Sequence, residues 1–190
     1  MRLPADLGYR LDGIHDELDD PEPLRFAAVI GLFLESEDAP DDPALLFIER
    51  SSKLRQHPGQ IAFPGGKPEA GDRDLLDTAL REATEEVGLP RELVSVVGRL
   101  SPVPTPTGYM IVPFIGRVRD PWQPRRVSAE VERILTPSLS TLLDPALHRS
   151  RGQVEWRGRS YDMHEYAIAD PPLWGATARM VWDLLERIRS

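Results

Sequence analysis

The sequence predicts one mixed α/β domain over residues 1–190. Short β-branched and aromatic runs alternate with segments of helical periodicity. No internal repeat or low-complexity linker divides the chain. Its 190 residues, 41% apolar and 28% charged, suffice for one core and fall short of two domains.

The elements follow in order. Leu3, Leu7, Leu11 and Ile14 are spaced for a short amphipathic helix. Residues 25–34 read as a buried strand, and the proline-containing acidic stretch 35–43 is a loop leading to a second strand at 45–49. The two strands are expected to form a hairpin with a long connection. Leu75, Leu76, Ala79, Leu80, Ala83 and Val87 recur at steps of three and four, the mark of an amphipathic helix. Asp72 or Asp74 can cap its start, Gly88 is placed to end it, and Pro90 prevents its resumption. Strand-like runs at 93–100 and 110–118 flank a loop containing Pro102, Pro104 and Pro106. Residues 128–134, with Glu130 and Glu132 among the polar positions, are expected to form a short helix. Residues 153–156 and 160–168 are expected as two strands joined through Gly158. A final helix over 176–188 presents Met180, Val181, Leu184, Leu185 and Ile188 on one face.

Composition narrows the chemistry. The chain has no cysteine, which excludes disulfides, thiolate nucleophiles and zinc–thiolate sites. Its four histidines show no metal-ligand spacing, so any metal is expected on oxygen ligands, which favours magnesium or manganese. The longest apolar run, residues 26–34, is far below the roughly 20 needed to span a bilayer. The first residues lack the apolar stretch of a secretory signal, so a cytoplasmic protein is expected. A net charge of −8 argues against broad nucleic-acid binding. The expected partner is a small-molecule substrate, with no nucleic acid and no membrane; homodimerisation is left open.

Charge is arranged locally against that overall sign. On the helix at 75–87, Glu82 and Glu85 are three apart and Glu82 and Glu86 four apart, so the three carboxylates can converge on one patch. In isolation such pairs cost roughly 0.2–0.5 kcal/mol each, a sign that a divalent cation reverses. A solvated face with Arg81 paired to Glu85 would need no such function. The preceding segment, 51–68, contains no acidic residue but carries Lys53, Arg55 and Lys67, with Arg50 immediately before it. Gly59, Gly65 and Gly66 let backbone amides approach a ligand. Cations beside a carboxylate cluster suit a diphosphate, whose charge must be neutralised as a nucleophile attacks phosphorus.

Gly66 through Leu89 resembles the Nudix box, G-x5-E-x7-R-E-U-x-E-E-x-G-U with U aliphatic. Arg81, Glu82, Ala83, Thr84, Glu85, Glu86, Val87, Gly88 and Leu89 match its second half without a gap. The first half departs, since eight residues rather than seven separate Asp72 from Arg81, and either Glu69 or Asp72 stands for the first glutamate. Upstream, Leu46, Phe47, Ile48, Glu49, Arg50, Ser51, Arg55, Gly59, Phe63, Pro64, Gly65 and Gly66 are similar to the motif L-L-T-x-R-[SA]-x3-R-x3-G-x3-F-P-G-G of the coenzyme A pyrophosphatase branch, with Phe for the second Leu and Ile for the Thr.

The resemblance implies an α/β/α sandwich around a mixed central sheet, with the box as a loop–helix–loop catalytic motif. It implies metal ligation by Glu82 and Glu86, with Glu85 as a further ligand or the general base, and Arg81 as the residue that orients a glutamate. Mg2+ or Mn2+ is the implied cofactor. Arg50, Arg55, Lys53 and Lys67, with the backbones of Gly65 and Gly66, are the candidate substrate-binding residues. The implied reaction is hydrolysis of coenzyme A to 4′-phosphopantetheine and adenosine 3′,5′-bisphosphate. The rivals are hydrolysis of another nucleoside diphosphate derivative such as ADP-ribose, and a non-catalytic nucleotide-binding module of the same fold. A proline marker for ADP-ribose would fall on Thr105, between Pro104 and Pro106, and decides nothing.

Overall fold

The structure, a computed structural model, describes residues 2–13, 25–35, 38–119, 122–156 and 158–190. In chain order its elements are α1 (Leu7–Arg10), β1 (Arg25–Glu35), β2 (Ala44–Arg50), β3 (Ile61–Ala62), β4 (Gly65–Gly66), α2 (Leu75–Val87), β5 (Val94–Arg99), β6 (Val103–Pro104), β7 (Tyr109–Arg119), β8 (Val131–Leu135), α3 (Leu139–Leu143), β9 (His148–Trp156), β10 (Arg159–Tyr166), β11 (Leu173–Trp174) and α4 (Gly175–Arg189). Among the described residues no helix is long and apolar enough to cross a membrane.

A mixed sheet organises the molecule, with the order β3-β2-β1-β7-β5 and with β4, β6 and β8 attached to β1, β7 and β2. Its centre is a parallel ribbon in which β1 and β7 pair from Arg25 opposite Tyr109 to Glu35 opposite Arg119. The other edge of β1 is shared. Residues 32–34 pair with β2, while Ala28 and Val29 pair with Gly66 and Gly65 of β4. The sheet therefore splays beside β1, and the glycine pair is inserted at the split.

Both faces of the sheet are covered, because side chains alternate across a pleated strand. Ala28, Ile30 and Leu32 of β1, with Leu46, Ile48, Val112 and Phe114, pack beneath Ala79, Ala83 and Val87 of α2. Phe33, Leu45, Phe47, Phe63 and Ile115 belong to the opposite core with Leu7 of α1 and Met180, Val181, Leu184 and Leu185 of α4. A three-stranded sheet, β11-β10-β9, is built against α4, where buried His164 meets His148 at 3.0 Å and stacks on Trp182.

Two expectations change. Residues 128–134 do not form a helix: Val131–Leu135 is a strand, antiparallel to β2. Its register slips so that Glu49 faces Arg133 while Arg50 faces Val131, leaving Glu132 as an extra residue. That bulge spaces the inward residues by three rather than two, which imitates helical periodicity. The N-terminal helix is a single turn, Leu7–Arg10, with Leu3, Leu7 and Leu11 buried, and Ile14 lies outside the described residues.

Candidate active site

Helix α2 begins where Asp74 caps it, its side chain accepting from the Asp77 N–H, and ends at Gly88, whose φ of 69° is a left-handed conformation that favours glycine. Between these caps Ala79, Ala83 and Glu86 fall at i, i+4 and i+7, one face of the helix. Glu86 consequently lies on the buried face, 4% exposed, instead of on the polar circumference. Its Oε2 accepts the Gly65 N–H at 3.0 Å, which ties α2 to β4. Arg50 approaches its Oε1 at 4.0 Å. Burial still dominates over both partners and pushes the Glu86 carboxyl up to about 8.

Glu82, one turn earlier, is half-buried against Gly66. A Cβ at Gly66 would stand 2.5 Å from the Glu82 carboxyl carbon, so only glycine allows this approach. Burial raises the Glu82 carboxyl and the Arg81 guanidinium, 3.1 Å from Oε1, opposes the rise. Gly65 is equally confined, since its Cβ would lie 2.6 Å from the Val29 Cα.

Arg81 is the hub of the arrangement. It donates through Nε and Nη2 to both oxygens of Asp72, at 2.9 and 3.2 Å, and through Nη2 to the Lys67 carbonyl at 3.0 Å. Its Nη1 is 3.4 Å from Glu85 and 3.9 Å from Glu69. Asp72 also accepts the Glu69 N–H and the Thr78 hydroxyl, and these bonds, led by Arg81, hold its carboxyl down to about 2. Of the two carboxylates that could stand for the first box glutamate, Asp72 receives the arginine and Glu69 remains exposed.

The other anticipated residues divide. Glu85 is exposed and turned to Arg81, so Glu82, Glu85 and Glu86 do not converge on one patch; among the described residues no group of three acidic or histidine side chains is set to hold a metal. Arg50 is engaged by carboxylates, with Nη2 3.5 Å from Glu130 and a buried Nε that has no partner. Lys53 and Arg55 are exposed on the loop after β2, and Lys67 is exposed beside the glycine pair. Glu130 carries no local signal of a site residue, because its approach to Arg50 depends on the β2–β8 pairing. A cavity of about 450 Å3 beside Arg151, Met163, Glu165 and Trp174 lies on the three-stranded sheet and contains none of these residues.

A mixed sheet between helices, with a glycine-backed glutamate pair on a capped helix, defines a class as well as a geometry. The NUDIX domain profile matches residues 24–158. The chain is 35% identical over 147 residues to the Nudix hydrolase NudL of Photorhabdus laumondii, covering 77% of this chain and 78% of that one. It is 38% identical over 168 residues to the mitochondrial Nudix hydrolase 15 of Arabidopsis thaliana, covering 84% of this chain and 58% of that protein. A MutT/nudix family structure from Enterococcus faecalis shares the fold at a TM-score of 0.53 and 17% identity, over 91% of this chain and 63% of that chain. The chain belongs to the Nudix hydrolase family.

Proposed function

We propose that the chain is a cytoplasmic diphosphatase that cleaves coenzyme A or a derivative, using Mg2+ or Mn2+, to 4′-phosphopantetheine and adenosine 3′,5′-bisphosphate. The observation that carries the reaction is the pair Glu82 and Glu86, one helical turn apart and drawn out of water beside Gly65 and Gly66. Two desolvated carboxylates at this spacing fit a hard divalent cation, which is held by oxygen ligands. The choice of coenzyme A rests on the motif over residues 46–66.

Glu82 and Glu86 would hold the cation, which would supply positive charge at the phosphoryl oxygens and lower the pKa of a bound water. Arg81, fixed by Asp72, orients Glu82 and Glu85. Glu85 is the carboxylate left exposed, and it takes the proton of the attacking water. The water oxygen bonds to one phosphorus, the bond from that phosphorus to the bridging oxygen breaks, and two phosphomonoesters leave. Lys53 and Arg55 supply cationic groups for the diphosphate, Lys67 supplies one for an adjoining phosphate of the substrate, and the glycine backbones leave room for them. Arg50 only partly offsets the charge of Glu86, and it reaches substrate by loosening its hold on a carboxylate.

The test is coenzyme A hydrolysis in Mg2+ or Mn2+ with the products separated, beside Glu82→Gln and Glu86→Gln. Metal-dependent release of adenosine 3′,5′-bisphosphate, lost in both variants, is the expected result. Preference for ADP-ribose over coenzyme A would overturn the substrate assignment.

A further inference from the structure

We infer that Arg25, Lys67 and Tyr109 form a separate anion subsite at the edge of the active site, which takes a phosphomonoester carried on the nucleoside side of a diphosphate substrate. The inference deepens the reading above and rests on it for the diphosphate itself. Arg25 opens β1 and Tyr109 opens β7, and the parallel register sets them opposite one another. The Arg25 guanidinium carbon lies 4.3 Å from the centroid of the Tyr109 ring, and its Nη2 donates to the Thr107 carbonyl at 3.3 Å. Lys67, the residue after Gly66, brings its Nζ to 5.3 Å from the same centroid.

Both cations are exposed, and neither has a carboxylate partner among the described residues. In a protein of net charge −8 that is an unusual concentration of uncompensated positive charge. The ring quadrupole attracts each cation, yet the two still repel one another, and a dianion between them removes that repulsion. A guanidinium offers phosphate a two-pronged contact that an ammonium complements as a point charge. With two cations seated on it, the ring serves them rather than a nucleobase.

The position suits this use. Lys67 is anchored to the carboxylate site, since its carbonyl accepts from Arg81. Gly66 pairs with Ala28, three residues along β1 from Arg25, a separation of roughly 10 Å at the rise of a strand. That is the scale of a ribose with phosphate groups on two of its oxygens. Arg50, by contrast, is already occupied by Glu86 and Glu130.

The experiment is calorimetric and does not depend on turnover. Adenosine 3′,5′-bisphosphate and adenosine 5′-monophosphate are titrated into the wild-type chain and into Arg25→Gln, Lys67→Gln and Arg25→Lys. The bisphosphate should bind the wild type about tenfold more tightly, as one charge-assisted phosphate contact implies. That ratio should fall towards one in both Gln variants and be partly restored by Arg25→Lys. The ratio is taken within each preparation, so a lowered folded fraction cancels. Equal affinities in the wild type, undetectable bisphosphate binding, or a ratio unchanged in Arg25→Gln would each overturn the subsite. If the ratio behaves as expected while coenzyme A is not cleaved, the subsite stands and the substrate assignment fails.

Discussion

Arg81 and Asp72 grip one another through two hydrogen bonds, Nε to Oδ1 at 2.9 Å and Nη2 to Oδ2 at 3.2 Å, across nine residues of sequence. Asp72 carries no proposed chemistry of its own. It turns Arg81 so that the remaining guanidinium edge faces Glu82 and Glu85.

Arg81→Lys keeps the charge but cannot span Asp72, the Lys67 carbonyl and Glu82 together. Steady-state kinetics should show kcat lowered roughly 10- to 100-fold, the range for a residue that orients metal ligands. Asp72→Asn should lower kcat in the same direction and by less. An unchanged kcat in Arg81→Lys would remove the orienting role.

Acid stability follows from the same pair. The Asp72 carboxyl is held down to about 2, first by the hydrogen bond from Arg81, and Asp77 is held down by Arg73 and Arg91. A depressed folded pKa gives stability that is present above the unfolded value of 3.8 and lost as pH falls through the folded one. Urea midpoints should therefore drop between pH 5 and pH 2.5. The drop should be shallower in Asp72→Asn, and parallel curves for the two proteins would contradict this.

Glu86 should behave in the opposite way in metal-free protein. Its buried carboxylate is incompletely compensated, so Glu86→Gln is expected to raise metal-free stability at pH 8, on the order of 1–3 kcal/mol. The same variant should lose both activity and the rise in melting temperature that Mg2+ or Mn2+ gives the wild type. Thermal melts with and without the metal measure both effects; a metal-induced rise that survives in Glu86→Gln would exclude it as a ligand.

The two adjacent glycines should respond differently to alanine. At Gly65 the added carbon meets the backbone of Val29, at 2.6 Å from its Cα, and the strand cannot yield. Gly65→Ala should cost roughly 2–4 kcal/mol of stability in denaturant unfolding. At Gly66 the obstacle is the movable end of Glu82. Gly66→Ala should fold with a smaller loss and fail catalytically, because Glu82 is displaced.

Much of this was legible in the sequence, for identifiable reasons. Helix α2 announced itself because its caps, its stop and its apolar spacing all agree locally. The strands at the centre were equally plain, since a short run of apolar β-branched and aromatic residues such as that in β1 fits a buried strand. Strand β8 was misread because Glu132 is a bulge residue, and a bulge appears only once the partner strand is known. The inward orientation of Glu86 was present in its spacing to Ala79 and Ala83 but concealed by its charge. Glu130 beside Arg50, and Arg25 beside Tyr109, depend on strand register between distant segments, which no local pattern encodes.

The parallel ribbon of β1 and β7 bears on how the chain acquires its native state. Arg25 must find Tyr109, about eighty residues later, before the first rung can form, and contacts this distant in sequence slow folding towards the millisecond-to-second range. All of β2, β4 and α2 lie in the loop that this encounter closes. The glycine pair and its glutamates are thus enclosed by the ribbon as it zips, so a nascent chain that has not yet reached β7 leaves the whole candidate site without the strand that completes its frame.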